Sequence, residues 1–332
     1  MKVCVFGVGA IGGILAAALH RGGAEVSLLA RGRTLQSLTA RGLRVVESGE
    51  GEPGEAAALQ LPASDDPAHL GAQDVLVLAL KAQQIEAALP AIAPLLGPTT
   101  AVLSAQNGIP WWYFHAHRGE LTGTCLKSVD PSGRIADALP AQRVIGGILY
   151  LAAELVEPAY VRRAPGGRIV LGPAIPGDAH AGCASKTQRL AELLNAGGET
   201  AEVSSDILAA VWQKLWGNVA FNPVSALTGA TLGEIAEDPG LRRLTRKVMQ
   251  ETQAVAERLG VAFTQDVDSR IDQAGRIGAH RSSMLQDLEA GRPPETGALM
   301  AAVSEIGAAL GVPTPFLDAT TALVEARARY RA

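Results

Sequence analysis

The chain has 332 residues, of which 29 are lysine or arginine and 33 are aspartate or glutamate, so its formal net charge is −4. This balance makes neither nucleic acid nor an anionic membrane surface an expected partner. Hydrophobic residues make up 48% of the chain, yet no uninterrupted apolar run reaches membrane-spanning length. The length predicts two domains, with ample residues for a buried core.

Cysteine and histidine usage predicts a protein without disulfides or a metal. Cys4, Cys125 and Cys183 lack the spacing of paired cysteines or metal ligands, and the six histidines show no ligand spacing either. Cys4 falls within an apolar stretch, which indicates a small core residue. We therefore expect a reducing compartment, hence a cytoplasmic location, and no metal.

A glycine-rich turn follows the first predicted strand, residues 3–6, and leads into a helix. Gly7, Gly9 and Gly12 fit the G-x-G-x-x-G pattern of dinucleotide-binding folds, in which the glycines make a tight turn and admit a pyrophosphate. A secretory signal and a glycine turn without ligand are the alternatives, and the glycines disfavour the signal because they break its helical core. The residues expected to bind the cofactor here are Gly7, Val8, Gly9, Ala10, Ile11 and Gly12.

The end of the second predicted strand, residues 25–29, indicates which dinucleotide binds. NAD-binding folds usually carry a carboxylate there, whereas this chain continues with Ala30, Arg31, Gly32 and Arg33. A guanidinium without a carboxylate favours the 2′-phosphate of NADP. The alternative is that Arg31 is an ordinary solvated arginine.

Alternating strands and helices continue to about Ser204 and predict a parallel sheet. Strands over 74–80 and 99–104 are followed by Lys81 and by Asn107-Gly108. Because ligands bind beyond the carboxyl ends of parallel strands, Lys81, Asn107 and the glycine turn are expected at one edge, facing the cofactor. Taken alone, Asn107-Gly108 would be a turn and Lys81 a solvated lysine. Residues 173–185 predict a loop.

From residue 205 onward the pattern predicts helices only. The predicted organisation is therefore α/β: an NADP-binding domain at 1–204 with a Rossmann-type doubly wound parallel sheet, then an all-helical substrate and catalytic domain at 205–332.

One helix, residues 211–223, combines an apolar surface with three polar positions. Lys214, Asn218 and Asn222 are spaced i, i+4 and i+8, so they share one helix face within about 80° of arc. A helix that is hydrophobic nearly all round is buried, and a buried ammonium or amide is costly unless a partner satisfies it. The pattern indicates the lining of a polar cleft. The alternative is a lysine that reaches the surface and amides that bridge loops.

These motifs together resemble the ketopantoate reductase (2-dehydropantoate 2-reductase) family over nearly the whole chain. The matching segments are GVGAIG at 7–12, Arg31, Lys81, QNG at 106–108, WQKLWGNVAFNP around Lys214, and SSMLQDLEAGRPPE at 282–295. The family's activity is NADPH-dependent reduction of ketopantoate to pantoate in pantothenate biosynthesis.

The resemblance also implies roles for individual residues. Lys214 corresponds to the catalytic lysine and proton donor, and Glu295 to the active-site glutamate, which also lies toward the cofactor. The remaining correspondences are Asn218 and Asn222 on the substrate side, Ser283 near the substrate carboxylate, and Lys81 and Asn107 where nicotinamide and substrate meet.

The chain also departs from the family pattern. It has Thr296-Gly297 and Ser304-Glu305 where relatives usually carry Ile-Asp and Asn-Gly, Leu232 at a position that is Asn in some relatives, and an unusual aromatic run at 111–114. A small-molecule 2-oxo acid is the expected partner, with a homodimer as one option. The alternatives left open are a reductase of another branched or aromatic 2-oxo acid, a hydroxy-acid or amino-acid dehydrogenase, and a non-catalytic NADPH-binding regulator.

Overall fold

The computed structural model describes residues 1–48, 57–176 and 181–330, so part of the predicted loop at 173–185 lies outside the described residues. The chain divides into two compact units. The first unit comprises Met1–Gln106 and Arg134–Ile207, and the second comprises Asn107–Gly133 and Leu208–Ala332. This division differs from the sequence-based one at Ser204, because an internal segment joins the helices and the boundary falls at residues 207 and 208.

The first unit is built on two sheets. The strands are β1 Lys2–Phe6, β2 Glu25–Leu29, β3 Arg44–Glu47, β4 Ala63–Ser64, β5 Val75–Leu78, β6 Ala101–Ser104, β7 Val144–Tyr150, β8 Ala153–Glu157, β9 Tyr160–Arg163, β10 Arg168–Pro173 and β11 Ala201–Val203. An eight-stranded sheet has the order β11-β10-β7-β6-β5-β1-β2-β4, and a three-stranded sheet has the order β3-β9-β8.

The eight-stranded sheet is mostly parallel, because β7 and β10 are the one antiparallel pair among its named strands. The chain runs outward from β1 in one direction through β2 and returns to the other side of β1 at β5. This reversal is the topological switch point of a doubly wound fold, where ligands bind. The predicted α/β class, with a Rossmann-type sheet followed by helices, is confirmed.

The core of the sheet is apolar, as the continuous hydrophobic runs of its strands predict for strands covered on both faces. Every residue of β5 is buried, and so are the residues of β1 after Lys2. Cys4 is fully buried, and this burial raises the pKa of its thiol to about 11. The prediction that Cys4 is a core residue is therefore confirmed.

Helices cover the sheet in the first unit and build the second. They are α1 Ala10–Arg21, α2 Gly32–Arg41, α3 Ile85–Ile92, α4 Tyr113–Ala116, α5 Arg134–Ala138, α6 Cys183–Ala196, α7 Ile207–Thr228, α8 Leu232–Glu237, α9 Pro239–Arg258, α10 Val267–Gly275, α11 Ser283–Glu289, α12 Ala302–Leu310 and α13 Pro315–Tyr330. Short 3₁₀ helices occur at Pro67–His69, Ala82–Gln84, Ala93–Leu95 and Ala141–Arg143, and a π-helix occurs at Gly297–Ala301. Within the described ranges, no helix is both long and apolar enough to cross a membrane.

The aromatic run at 111–114 explains why the internal segment joins the second unit. Its four side chains are buried, and Tyr113 packs edge-on against Trp212 of α7 at 6.4 Å between ring centroids. The indole Nε1–H of Trp212 donates a hydrogen bond of 2.9 Å to the Tyr113 hydroxyl. A buried indole needs such a partner, so the aromatic run is part of the core of the helical unit.

Candidate active site

The glycine turn lies at the switch point of the first unit. Gly7 has φ +100°, and a Cβ there would lie 2.7 Å from the carbonyl oxygen of Ala79. A Cβ on Gly12 would lie 1.9 Å from the carbonyl oxygen of Gly7, whereas one on Gly9 would meet nothing within 4 Å. The turn is therefore tight on its inner side and open at Gly9.

Helix α1 begins directly after the open glycine. Gly9 is its N-cap residue and provides no side-chain hydrogen bond, and the first turn contains no acidic residue. The first backbone N–H groups of a helix have no partner within the helix and carry the positive end of its dipole. This arrangement fits a pyrophosphate, which is the ligand that the motif predicts.

Arg31 follows the strand beside the glycine turn. β1 and β2 are parallel neighbours with Phe6 opposite Leu29, so the turn and Arg31 leave the sheet at the same edge. Arg31 is exposed and is the N-cap residue of α2, and Arg33 is also exposed. A guanidinium at this edge of the second strand is where a 2′-phosphate can be bound.

Lys81 follows β5 on the other side of β1. It is the N-cap residue of a short 3₁₀ helix, and its backbone N–H donates a hydrogen bond of 3.1 Å to Gln84 Oε1. The Gln106 amide donates hydrogen bonds to the carbonyl oxygens of Leu78 and Leu80, at 2.6 and 3.3 Å, and so fixes this strand end. The glycine turn and Lys81 therefore share the predicted edge, whereas Asn107 belongs to the second unit.

Lys214 lies in the second unit at the middle of α7. Its ammonium donates a hydrogen bond of 2.5 Å to Asn107 Oδ1, so two residues that sequence patterns selected independently are in contact. Burial lowers the pKa of Lys214 to about 8, and the negative charge of Glu295 acts in the opposite direction. The predicted buried helix is confirmed by neighbours such as Trp212 and Leu215, which are almost fully buried.

Asn218 and Asn222 lie one and two turns further along the same helix. Asn218 is half-buried, whereas Asn222 is 6% exposed. Among the described protein atoms, the buried amide nitrogen of Asn222 has no hydrogen-bond partner. A buried donor of this kind is costly unless a ligand or water accepts from it, so Asn222 has donor capacity to offer.

The serine pair before α11 shows where the sequence was ambiguous. Ser283 is the exposed first residue of α11. Its neighbour Ser282 is the buried N-cap residue and accepts a hydrogen bond from the Leu285 N–H, while its hydroxyl donates to the Asn222 carbonyl oxygen at 3.4 Å. Sequence reasoning missed Ser282, although serine is a preferred residue immediately before a helix.

Glu295 lies two residues before the π-helix Gly297–Ala301. Gly108 has φ +85°, and a Cβ on it would lie 2.3 Å from the carbonyl oxygen of Ala298. The backbone N–H of Ile109 donates a hydrogen bond of 2.8 Å to the same oxygen. The segments that carry the two polar partners of Lys214 are thus in direct backbone contact.

The chemistry available in this cluster is acid–base chemistry at an oxygen atom. A buried ammonium of lowered pKa can both stabilise an oxyanion and donate a proton to it. The described residues contain no group of three or more histidine, cysteine, aspartate or glutamate side chains placed to hold a metal ion.

Family models match both parts of the chain. Residues 3–175 match the model described as ketopantoate reductase PanE/ApbA, and residues 206–328 match its C-terminal counterpart. The chain belongs to the ketopantoate reductase family. It is an oxidoreductase of the class that acts on a carbonyl and its alcohol.

Individual ketopantoate reductase relatives cover the whole chain. The 2-dehydropantoate 2-reductase of Mesorhizobium japonicum is 48% identical over 98% of this chain and 97% of its own. A crystal structure from Ralstonia solanacearum MolK2, assigned as a ketopantoate reductase, has a TM-score of 0.90 and 41% identity and covers 99% and 98% of the two chains. A D-mandelate dehydrogenase with NADH and anilino(oxo)acetate has a TM-score of 0.83, with 99% and 98% coverage, and at 24% identity it shows the shared fold alone.

The close approach at Gly108 predicts a large effect of a single methyl group. Gly108→Ala should destabilise the second unit more than Gly123→Ala, which has a similar φ of +78° and open space at its Cβ. The left-handed backbone alone costs about 1–2 kcal/mol for a residue with a Cβ, and the overlap with Ala298 should add about 1–3 kcal/mol.

Urea unfolding followed by tryptophan fluorescence measures this difference. All four tryptophans lie in the second unit, so the signal reports on the unit that holds both glycines. Equal losses in the two variants would show that the contact with Ala298 is not a constraint.

Proposed function

We propose that this protein reduces 2-dehydropantoate (ketopantoate) to pantoate with NADPH, by hydride transfer to the C2 ketone and protonation by Lys214. The observation that carries the proposal is the hydrogen bond between the Lys214 ammonium and Asn107. It joins the family's lysine helix to its QNG turn in a buried place. The 48% identity to a named 2-dehydropantoate 2-reductase supports the substrate. A role in pantothenate biosynthesis and a cytoplasmic location are parts of the same proposal.

Lys214 supplies both charge and proton. Reduction of a ketone builds negative charge on its oxygen, which an ammonium stabilises and then protonates. Because burial lowers the pKa of Lys214 to about 8, the group is charged at neutral pH and still gives up its proton readily. Asn107 accepts one of the three N–H groups and so orients the ammonium. Glu295 favours the charged form.

The residues of the first unit fit NADPH. The turn of Gly7, Val8, Gly9, Ala10, Ile11 and Gly12 provides an open approach and the helix N-terminus for the pyrophosphate. Arg31 provides a cation for the 2′-phosphate. By resemblance, Lys81, Asn107 and Glu295 would hold the nicotinamide end. When bound, the cofactor supplies the hydride.

The substrate carboxylate needs donors. The unpaired Asn222 amide is one, with Asn218 and Ser283 as further candidates on the substrate side. The hydroxyl of ketopantoate needs an acceptor, which Glu295 can provide. The aromatic run at 111–114 lies in the core, so its size does not itself argue for an aromatic substrate. A homodimer stays a prediction for the assembly.

The first functional prediction concerns the proton donor. Lys214→Ala should lower kcat by about 10² to 10⁴, while the Kd for NADPH changes little, because the lysine acts on the ketone oxygen and not on the adenosine end. Steady-state kinetics and NADPH fluorescence titration measure the two effects. Lys247→Ala, an exposed lysine of α9, is the control.

The same donor predicts a pH dependence. The active ammonium form is lost as pH rises through the pKa, so kcat for reduction should be level below about pH 8 and fall above it. Near-normal turnover of Lys214→Ala would contradict the proposed role, and loss of NADPH binding would make the lysine structural.

The second prediction concerns cofactor choice. Arg31→Ala should raise the KM for NADPH more than about tenfold, since a hydrogen bond to a charged group is worth about 1.5–3 kcal/mol. The KM for NADH should change little, because NADH has no 2′-phosphate. Arg33→Ala is the matched control. An NADPH to NADH preference that survives in Arg31→Ala would move the specificity to Arg33 or elsewhere.

The third prediction concerns the substrate. The value of kcat/KM should be at least about 10² higher for ketopantoate than for 2-oxoisovalerate, because an analogue without the hydroxyl leaves a buried carboxylate unpaired. Glu295→Ala should narrow this ratio. NADPH oxidation with a panel of branched and aromatic 2-oxo acids gives the comparison. Equal use of 2-oxoisovalerate or of an aromatic oxo acid would keep the fold and reject ketopantoate as the preferred substrate.

A further inference from the structure

Glu305 of α12 makes a cluster of hydrogen bonds with a distant loop. Its carboxylate accepts from the backbone N–H of Lys127 at 2.8 Å, from the backbone N–H of Ser128 at 2.9 Å and from the Ser128 hydroxyl at 2.7 Å. Hydrogen bonds to a charged acceptor are stronger than neutral ones. The loop at Lys127 and Ser128 is therefore held firmly on α12.

The other side of this loop touches the segment after Glu295. A Cβ on Gly297 would lie 2.6 Å from the Ser128 carbonyl oxygen, so a larger residue there would displace the loop. Gly297 is the first residue of the π-helix, and its carbonyl oxygen accepts from the Ala302 N–H to close the wide turn. A π-turn inserts one extra residue into a helix and often occurs at functional sites.

Three backbone segments are consequently stacked next to Lys214. The QNG turn contacts Ala298, and the loop contacts Gly297 in the same π-helix. Asn107 lies at the start of the first segment, and Glu295 lies just before the π-helix. Both polar partners of Lys214 are thus carried by this stack.

We propose that Glu305 is a positioning residue, which holds the Lys127–Ser128 backbone against Gly297 and thereby fixes the place of Glu295 relative to Lys214. The inference rests on the proposed function, in which Lys214 is the proton donor. It also joins two departures from the family pattern: Gly297 makes the room that the loop occupies, and Glu305 holds the loop there.

Glu251 provides a matched control. Its carboxylate also accepts from two successive backbone N–H groups, those of Phe316 and Leu317 at 3.0 and 2.9 Å, at the start of α13. It therefore makes the same kind of contact at a different place in the same unit. Glu251→Ala measures what the loss of such a carboxylate does to stability alone.

The test compares Glu305→Ala with Glu251→Ala in the full-length enzyme, by two measurements. One is the pH at which kcat for ketopantoate reduction falls. The other is the titration of Lys214 by competitive labelling with acetic anhydride across pH, read by peptide mass spectrometry without substrate. Glu295 is the charged group that acts on Lys214, and Asn107 is its neutral partner.

Glu305→Ala should shift both titrations about 0.5–1 pH unit lower, part of the about 1–3 units that a close opposite charge supplies. Glu251→Ala should shift neither. In a Glu295→Gln background, Glu305→Ala should cause no further shift, because its effect passes through Glu295. Glu305→Gln, which keeps one acceptor oxygen for Ser128, should shift less and serves if the alanine variant does not fold.

Two outcomes would overturn the inference. Unchanged titrations, with stability lost as in Glu251→Ala, would make Glu305 merely structural. A shift that persists in the Glu295→Gln background would mean that Glu305 acts on the lysine directly by its charge. If the wild-type enzyme turns over no 2-oxo acid, the proposed function fails by itself, and the labelling titration still decides the role of Glu305.

Discussion

A buried ammonium is the constraint on which the second unit depends. Removing the charge of Lys214 from water is costly, and the structure offsets that cost with one amide at 2.5 Å and one carboxylate. Both partners come from outside α7, so the helix alone cannot satisfy its lysine. The QNG turn and the segment after Glu295 must both reach it, and the glycines of these segments allow the close backbone contacts that bring them there.

The fold and much of the site could be predicted because their signals are local. A strand followed by G-x-G-x-x-G and a helix requires only a dozen consecutive residues. The i, i+4 and i+8 spacing of Lys214, Asn218 and Asn222 defines one helix face without any tertiary information. Apolar runs such as β5 identify buried strands in the same way.

What the sequence could not reveal depends on contacts between distant residues. Glu305 is 177 residues from Ser128, and nothing near either residue indicates the other. The assignment of 107–133 to the helical unit depends on Tyr113 meeting Trp212. In the Ser282–Ser283 pair, resemblance selected Ser283, while helix capping placed Ser282 against Asn222. The wide turn at Gly297 follows from packing rather than from helix propensity.

The interrupted order of the two units has a consequence for how the chain can fold during synthesis. Tyr113 leaves the ribosome 99 residues before Trp212, so the aromatic run is made long before the helix that covers it. The first unit is likewise split, and its strands β7, β10 and β11 follow the segment that belongs to the other unit. A fragment that starts at residue 208 would lack both the hydroxyl acceptor of Trp212 and the amide acceptor of Lys214. The helical part of this chain is therefore not an independent folding unit when it is cut at a single point.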